Sequence, residues 1–270
     1  MSASVDGIVD RLLDAQAARE QIPPLTATDA AFDVPAAYRV LAGISARRRA
    51  AGWRAVGRKM GFTNSRIWPR YGVSQPMWAP VWDRTVRFVA DAGVVRVDAM
   101  TEPRIEPEVV FKLRAPVPPD ADAVRALECV DWLAAGFEFV QSPFPGWKFA
   151  AADCTAAFGL HAALIVGEPR EIRAADRVAL AEALATFSLA LSCDGVIVDR
   201  GVGANVLGSP VLALSYLARL LATQPLAPPL AAGELITTGT VTDAWSAVRG
   251  QRWRSDYGTL GLKAPILTIE

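Results

Sequence analysis

Arg104-Ile105-Glu106-Pro107-Glu108-Val109-Val110-Phe111 is the stretch on which the fold turns. In a strand successive side chains point to opposite faces, so Glu106 and Glu108 share one face while Ile105, Val109 and Phe111 share the other. Carboxylates held that close repel unless a proton, a cationic side chain or a metal ion stands between them. Oxygen-only ligands favour a hard divalent cation such as Mg2+ or Mn2+. Pro107 has no N–H to give to a ladder, which predicts an edge strand or a neighbouring bulge. Downstream, Glu138 stands alone in Leu133-Ala134-Ala135-Gly136-Phe137-Glu138-Phe139-Val140, with an aromatic on either side. A buried carboxylate without a partner is costly. Glu138 therefore either joins Glu106 and Glu108 around a cation, leaving coordination positions for water and substrate, or pairs with an arginine or lysine.

Outward from this strand, apolar runs at Val95 to Val97, Gly136 to Gln141 and Ala163 to Val166 also read as strands. Phe187, Leu189, Leu191 and Cys193 alternate up to Asp194-Gly195, and Val196 and Val198 alternate away, which predicts a hairpin. Ser209-Pro210 opens a helix that is apolar nearly all round through Leu221 and is therefore buried. After the prolines at 225, 228 and 229, Glu234 to Thr240 reads as a core strand. Toward the N-terminus, Val5, Ile8, Val9, Leu12 and Leu13 recur at helical spacing. A second helix opens at Pro35, turns Tyr38, Leu41 and Ile44 inward and stops at Gly52. Trp68, Trp78 and Trp82 crowd a stretch rich in proline and glycine that reads as a structured loop. The expected fold is α+β, divided into a helical portion with its aromatic loop over residues 1–80 and a β-rich, metal-binding catalytic domain over residues 81–270.

Composition narrows the function classes. Lys plus Arg is 28 and Asp plus Glu is 28, so the 270-residue chain has no net charge and no basic excess for nucleic acid. Hydrophobic residues at 52% and charged residues at 21% are too apolar a mixture for a disordered chain. Cys129, Cys154 and Cys193 are odd in number and widely spaced, which suits free thiols in a reducing cytosol. The first residues lack a leader pattern, and the uncharged run Gly201–Ala218 is broken by Gly203, Asn205, Gly208 and Pro210. A soluble cytoplasmic protein with no membrane partner is expected. With His161 as the one histidine, a multi-histidine zinc site is excluded. Within Phe158–Leu164, His161 is either a satisfied core residue or a proton carrier. Lys59, between Gly57 and Gly61, is placed to reach a carboxylate or move a proton. Gly201-Val202-Gly203 is not followed by the third glycine of a dinucleotide fingerprint, and no phosphate-binding loop of Walker type occurs.

Several ordered motifs together resemble the fumarylacetoacetate hydrolase superfamily, and within it the branch of 2-oxopent-4-enoate hydratases and 4-oxalocrotonate decarboxylases. They are Gly57-Arg58-Lys59-Met60-Gly61-Phe62-Thr63, Tyr71-Gly72-Val73-Ser74-Gln75-Pro76, Arg104–Glu108, Gly136–Val140, Trp147-Lys148 with Asp153, Gly203–Pro210, Ala232-Gly233-Glu234 and Thr238-Gly239-Thr240. The likeness spans nearly the whole chain. It implies a mixed β-sheet roll, with Glu106, Glu108 and Glu138 as ligands of Mg2+ or Mn2+, Lys59 at the substrate and Thr240 in a carboxylate pocket. Gln75 and Trp78 are expected to bind substrate, with Trp68 and Trp78 walling an apolar tail. The chain departs from the branch's pattern at Met77-Trp78 and at Ala156-Ala157-Phe158-Gly159-Leu160, where His161 follows and stands in for a missing polar group. The implied activity is hydration of a 2-hydroxy-dienoate or 2-oxo-enoate to a 4-hydroxy-2-oxo acid, in a homo-oligomer. Decarboxylation, C–C hydrolysis of an acylpyruvate, and a silent metal-stabilised binding protein are the alternatives.

Overall fold

The computed structural model describes residues 4–270, apart from the side chains of residues 70 and 71. Two mixed sheets carry the strands. The larger runs in the order β2 (Met77–Trp82), β1 (Ala55–Gly61), β11 (Leu235–Thr237), β5 (Arg104–Leu113), β6 (Val130–Val140), β7 (His161–Val166), β3 (Val86–Phe88). Two short strands join it: β12 (Trp245–Ser246) on β5 and β8 (Arg170–Glu171) on β6. The smaller sheet is ordered β10 (Val196–Val202), β9 (Ser188–Cys193), β13 (Arg252–Asp256), β14 (Ile266–Ile269), β4 (Ala92–Val95). The helices are α1 (Val5–Ala18), α2 (Leu25–Thr28), α3 (Val34–Ala50), α4 (Trp68–Tyr71), α5 (Ala123–Glu128), α6 (Ala151–Ala156), α7 (Arg177–Thr186) and α8 (Pro210–Ala222). The α+β class expected from the sequence is the one found.

Local signals account for most of these elements. Ser4 Oγ accepts the amide of Gly7 at 3.1 Å to start α1, and Asp33 Oδ1 accepts that of Ala36 at 2.8 Å to start α3, where Pro35 sits in the first turn. Arg47, Arg48 and Arg49 in the last turn of α3 meet the negative end of its dipole. Between β9 and β10, Asp194 (φ 51°) and Gly195 (φ 81°) supply the two left-handed residues of a tight hairpin turn. Ile105, Val109, Phe111, Phe137 and Phe139 pack with Leu214, Leu217 and Trp253 in the main core. A second core joins Val9, Leu12, Val40 and Ile44 to Phe144 and Ala156, seating α3 on α6 and α1 on α3. The segment Gly203–Ala222 is apolar and long enough to cross a membrane, yet 61% of its most apolar stretch is buried within the fold. It is packed as a core helix against α5 and α7.

Three expectations change. Trp78 and Trp82 lie on β2 rather than in a loop, because β2 pairs with β1 and is buried on both faces, which hides the alternation that marks a strand. With β1 and β2 inside the larger sheet, the expected division at residues 80 and 81 falls within β2, and the helical portion ends with α3 at Ala50. Pro107 is not on an edge strand, since β5 is interior. Its missing N–H is tolerated because it faces the break between β11 and β12, where only Val241 N reaches back to the Pro107 carbonyl, at 3.1 Å.

Candidate metal centre

The register of β5 and β6 sets Glu106 directly across from Glu138 and Glu108 across from Gly136. Directly opposed side chains start only about 5 Å apart at Cβ, so the three carboxylates converge on the same side of the ladder. One oxygen from each of Glu106, Glu108 and Glu138 lies within 4.8 Å of the others. Glu108 and Glu138 are fully buried and Glu106 half-buried at the opening.

Each carboxylate is held by a different part of the chain. Glu108 Oε2 accepts the Thr237 hydroxyl from the end of β11 and the Gly239 amide at 2.8 Å. Gly239 must be glycine here: its φ is 98°, and a Cβ would stand 1.9 Å from Thr63 Oγ1. Glu138 Oε1 meets His161 Nδ1 at 2.7 Å, and the other ring nitrogen of His161 meets Thr85 Oγ1 at 2.8 Å. Glu138 Oε2 lies 3.2 Å from Lys59 Nζ, which also donates to the Gly159 carbonyl at 3.0 Å. That carbonyl is aimed by a left-handed turn, with Phe158, Gly159 and Leu160 all near φ 60°. Such strain in two non-glycine residues persists only where packing fixes it, and the Arg48 guanidinium lies over the Phe158 ring at 4.4 Å.

Charge is crowded here. Burial and the Glu138 charge push the Glu106 carboxyl up to about 7 against the pull of Lys59. Glu108 is raised well above the carboxylate range by burial, then by Glu138 and Glu106. Burial also works against ionisation of Glu138, but Lys59 and His161 outweigh it and hold Glu138 below its ordinary value. Lys59 loses by burial and gains more from the three carboxylates, so its ammonium is held above the usual lysine range. Burial lowers His161, although Glu138 opposes the shift. Two buried oxygens of the triad, Glu108 Oε1 and Glu138 Oε2, have no hydrogen-bond partner, and the second lies 3.2 Å from Lys59 Nζ. A set of three carboxylates with one cationic neighbour and an unpartnered oxygen fits a divalent, oxygen-preferring cation.

The triad opens onto a cavity of about 210 Å³ whose lining includes Lys59, Asn64, Arg104, Glu106, Trp147 and Thr240. Lys59, Glu106 and Thr240 line this cavity together, and Glu108 and Glu138 lie buried beside Glu106. Gln75 and Trp78 do not line it. Both line a separate cavity of about 690 Å³ between α3 and the 220–228 segment. The physical reason is register: Ala79 pairs with Lys59 and Trp78 with Met60, so Trp78 shares the face turned away from the ammonium. Its indole donates to Gln224 Oε1 at 2.7 Å and stacks on Tyr38. Trp68 is tied to the Phe62 carbonyl at 2.7 Å. Of the two readings of His161, the structure favours the satisfied core residue over the proton carrier: it is buried behind Glu138 with both nitrogens engaged and does not line the cavity. Thr237, which donates to Glu108, and Thr85, which meets His161, were not singled out by the sequence; Thr237 stands immediately before the Thr238-Gly239-Thr240 motif.

No family model matches the chain. A 4-oxalocrotonate decarboxylase of Pseudomonas sp is 30% identical over 257 residues, covering 95% of each chain. A 2-hydroxypent-2,4-dienoate hydratase of Pseudomonas putida is 29% identical over 225 residues, 80% of this chain and 95% of the relative. The solved 4-oxalocrotonate decarboxylase of Pseudomonas putida G7, complexed with magnesium and adipate, superposes with a TM-score of 0.88 at 26% identity, over 98% of this chain and 97% of that one.

Proposed function

Because the chain belongs to the hydratase and decarboxylase branch of the fumarylacetoacetate hydrolase superfamily, we propose that it is a divalent-metal-dependent lyase that adds water to a short 2-hydroxy-dienoate or 2-oxo-enoate. The observation that carries this reading is the convergence of Glu106, Glu108 and Glu138, with Glu108 Oε1 buried and unpartnered, beside the Lys59 ammonium. The three carboxylates hold the cation, Mg2+ or Mn2+, in keeping with the magnesium in the decarboxylase structure. When bound, the cation acts as a Lewis acid toward the carboxylate and C2 oxygen of the substrate, stabilising charge on that oxygen. Lys59, fixed by Glu138 and Gly159, keeps its proton and balances the substrate carboxylate. Thr240 donates a hydroxyl at the same cavity. His161 orients Glu138 rather than touching substrate, as a ring donating to a ligating carboxylate does.

Decarboxylation of a related 2-oxo diacid is the second reading, and the position of His161 favours it. Loss of CO2 to a dienolate needs no activated water, and the residue expected to activate water is sealed behind Glu138. One experiment tests both. Purified protein with Mg2+ is given 2-hydroxypenta-2,4-dienoate, followed by dienol absorbance, and separately 2-oxohex-3-enedioate, followed by CO2 release. Turnover abolished by EDTA and in Glu106→Gln supports the site, and the substrate consumed chooses the reaction. No turnover of either by folded, metal-loaded protein rejects the enzyme reading.

A further inference from the structure

Arg48 is a buried cation that the proposed chemistry leaves unused. It stands in the last turn of α3 with 7% of its surface exposed. Among the described residues no carboxylate lies within ion-pair distance of its guanidinium. Nη2 donates to Gln16 Oε1 of α1 at 3.0 Å, and the other neighbours of the group are rings. The guanidinium lies 4.4 Å from the centre of Phe158, 5.0 Å from that of Trp53 and 5.6 Å from that of Trp82. Burying a charge without a counter-ion is costly, and here aromatic faces take the place of water.

Two of these rings are the roots of two arms that end on the same carboxylate. Phe158 immediately precedes Gly159, whose carbonyl accepts from Lys59 Nζ at 3.0 Å, and that nitrogen lies 3.2 Å from Glu138 Oε2. Trp82 offers its carbonyl to the Thr85 hydroxyl at 2.9 Å and its amide to Thr85 Oγ1 at 3.3 Å. The same Thr85 oxygen meets His161 Nε2 at 2.8 Å, and His161 Nδ1 meets Glu138 Oε1 at 2.7 Å. One oxygen of Glu138 is thus reached through Phe158 and the other through Trp82. Residues 82 and 158 come from separate parts of the chain, and Arg48 is where the two arms join.

We propose that Arg48 is a positioning residue for the metal centre: packed against Phe158 and Trp82 at once, it fixes the Lys59 ammonium and the His161 ring, and through them both oxygens of Glu138. The helical portion, which supplies none of the three carboxylates, thereby sets the geometry of one of them. The packing role is readable in metal-free protein, and only its consequence for the cation rests on the proposed function.

The test is nuclear magnetic resonance of metal-free protein labelled with 15N-histidine and 15N-lysine. His161 is the one histidine of the chain, and the Lys59 ammonium signal is identified by its loss in Lys59→Met. In Arg48→Met both the His161 ring signals and the Lys59 signal are expected to shift or broaden. Mn2+ affinity, measured separately, is expected to fall about tenfold to a hundredfold, the range for losing a partner that orients a ligand. Ile8→Ala, about two turns before Gln16 on α1, removes packing from the same helical core without touching either arm, and should leave the His161 and Lys59 signals in place. Unchanged signals in folded Arg48→Met overturn the proposal. So does movement of one signal without the other, which denies the common root, or equal movement in Ile8→Ala, which marks a general loosening. Should Arg48→Met fail to fold, Phe158→Leu decides: it removes one ring from the guanidinium and should move the Lys59 signal while the His161 signals stay, and a Lys59 signal left in place overturns the proposal. Failure of wild type to bind Mn2+, with the resonance result as expected, rejects the metal reading and leaves the packing role of Arg48 standing.

Discussion

Replacing Lys59 by methionine removes the one cationic side chain in ion-pair contact with the triad and leaves most of the packing volume. Lys59 Nζ sits 3.2 Å from Glu138 Oε2 with side-chain exposures of 5% and 0%, so the charge left behind on Glu138 cannot turn to water. Breaking a buried pair by removing one partner costs about 3–5 kcal/mol. His161, bonded to Glu138 Oε1, can take up a proton and soften this loss, which places the expected value near the lower end. A loss of about 3 kcal/mol in a chain of this size lowers Tm by roughly 6–12 °C. The assay is thermal unfolding of metal-free wild type and Lys59→Met, each repeated with saturating Mn2+. Since a divalent cation brings two positive charges to the same carboxylates, Mn2+ should raise Tm more in Lys59→Met than in wild type. Equal Tm values in the metal-free proteins, or a smaller Mn2+ shift in the variant, would refute the coupling between Lys59 and the triad.

Other consequences follow from the same geometry. With Glu106 raised to about 7 and Glu108 well above its ordinary range, the metal-free site holds protons that a cation must displace. A carboxyl raised on folding makes the native state bind more protons than the unfolded chain, so its ionisation destabilises the fold as pH rises from about 4.5 through 7, and the metal relieves that cost. The Mn2+-induced rise in Tm should therefore be larger at pH 8 than at pH 5; an equal rise would contradict the assignment. Thr237→Val deletes a hydrogen bond to Glu108 Oε2 and should weaken Mn2+ binding about tenfold to a hundredfold with little change in far-ultraviolet circular dichroism. Gly239→Ala should lose Mn2+ binding as well, because the added Cβ would stand 1.9 Å from Thr63 Oγ1 and displace the amide that meets Glu108; wild-type affinity in this variant would remove that amide from the account.

Much of the centre is legible in a few residues. The period-two placement of Glu106 and Glu108 survives because β5 is an ordinary strand at that point, and a lone Glu138 among aromatics had to find a partner. It found both kinds at once, a lysine and two further carboxylates, which the sequence could pose only as alternatives. What could not be read depends on register and on contacts far apart along the chain. Whether Trp78 faces the cavity is set by its pairing with Met60, and a slip of one position would have reversed the answer. His161 could be posed only as a satisfied core residue or a proton carrier, because its partners, Glu138 and Thr85, lie 23 and 76 residues away. Thr237 braces Glu108 from 129 residues away. Pro107 signalled a missing ladder bond correctly, but a gap between β11 and β12 meets that need as well as an edge does.

The most direct test of the metal centre is a Mn2+ titration followed by the electron paramagnetic resonance signal of free Mn2+, on wild type, Glu106→Gln and Glu138→Gln, with circular dichroism to confirm folding. Glu106→Gln, at the half-buried opening, is the variant least exposed to a folding defect. One Mn2+ bound per chain in wild type, and loss of that binding in both folded variants, is the expected result. Unchanged stoichiometry and affinity in the variants would contradict the assignment of these carboxylates as the metal ligands.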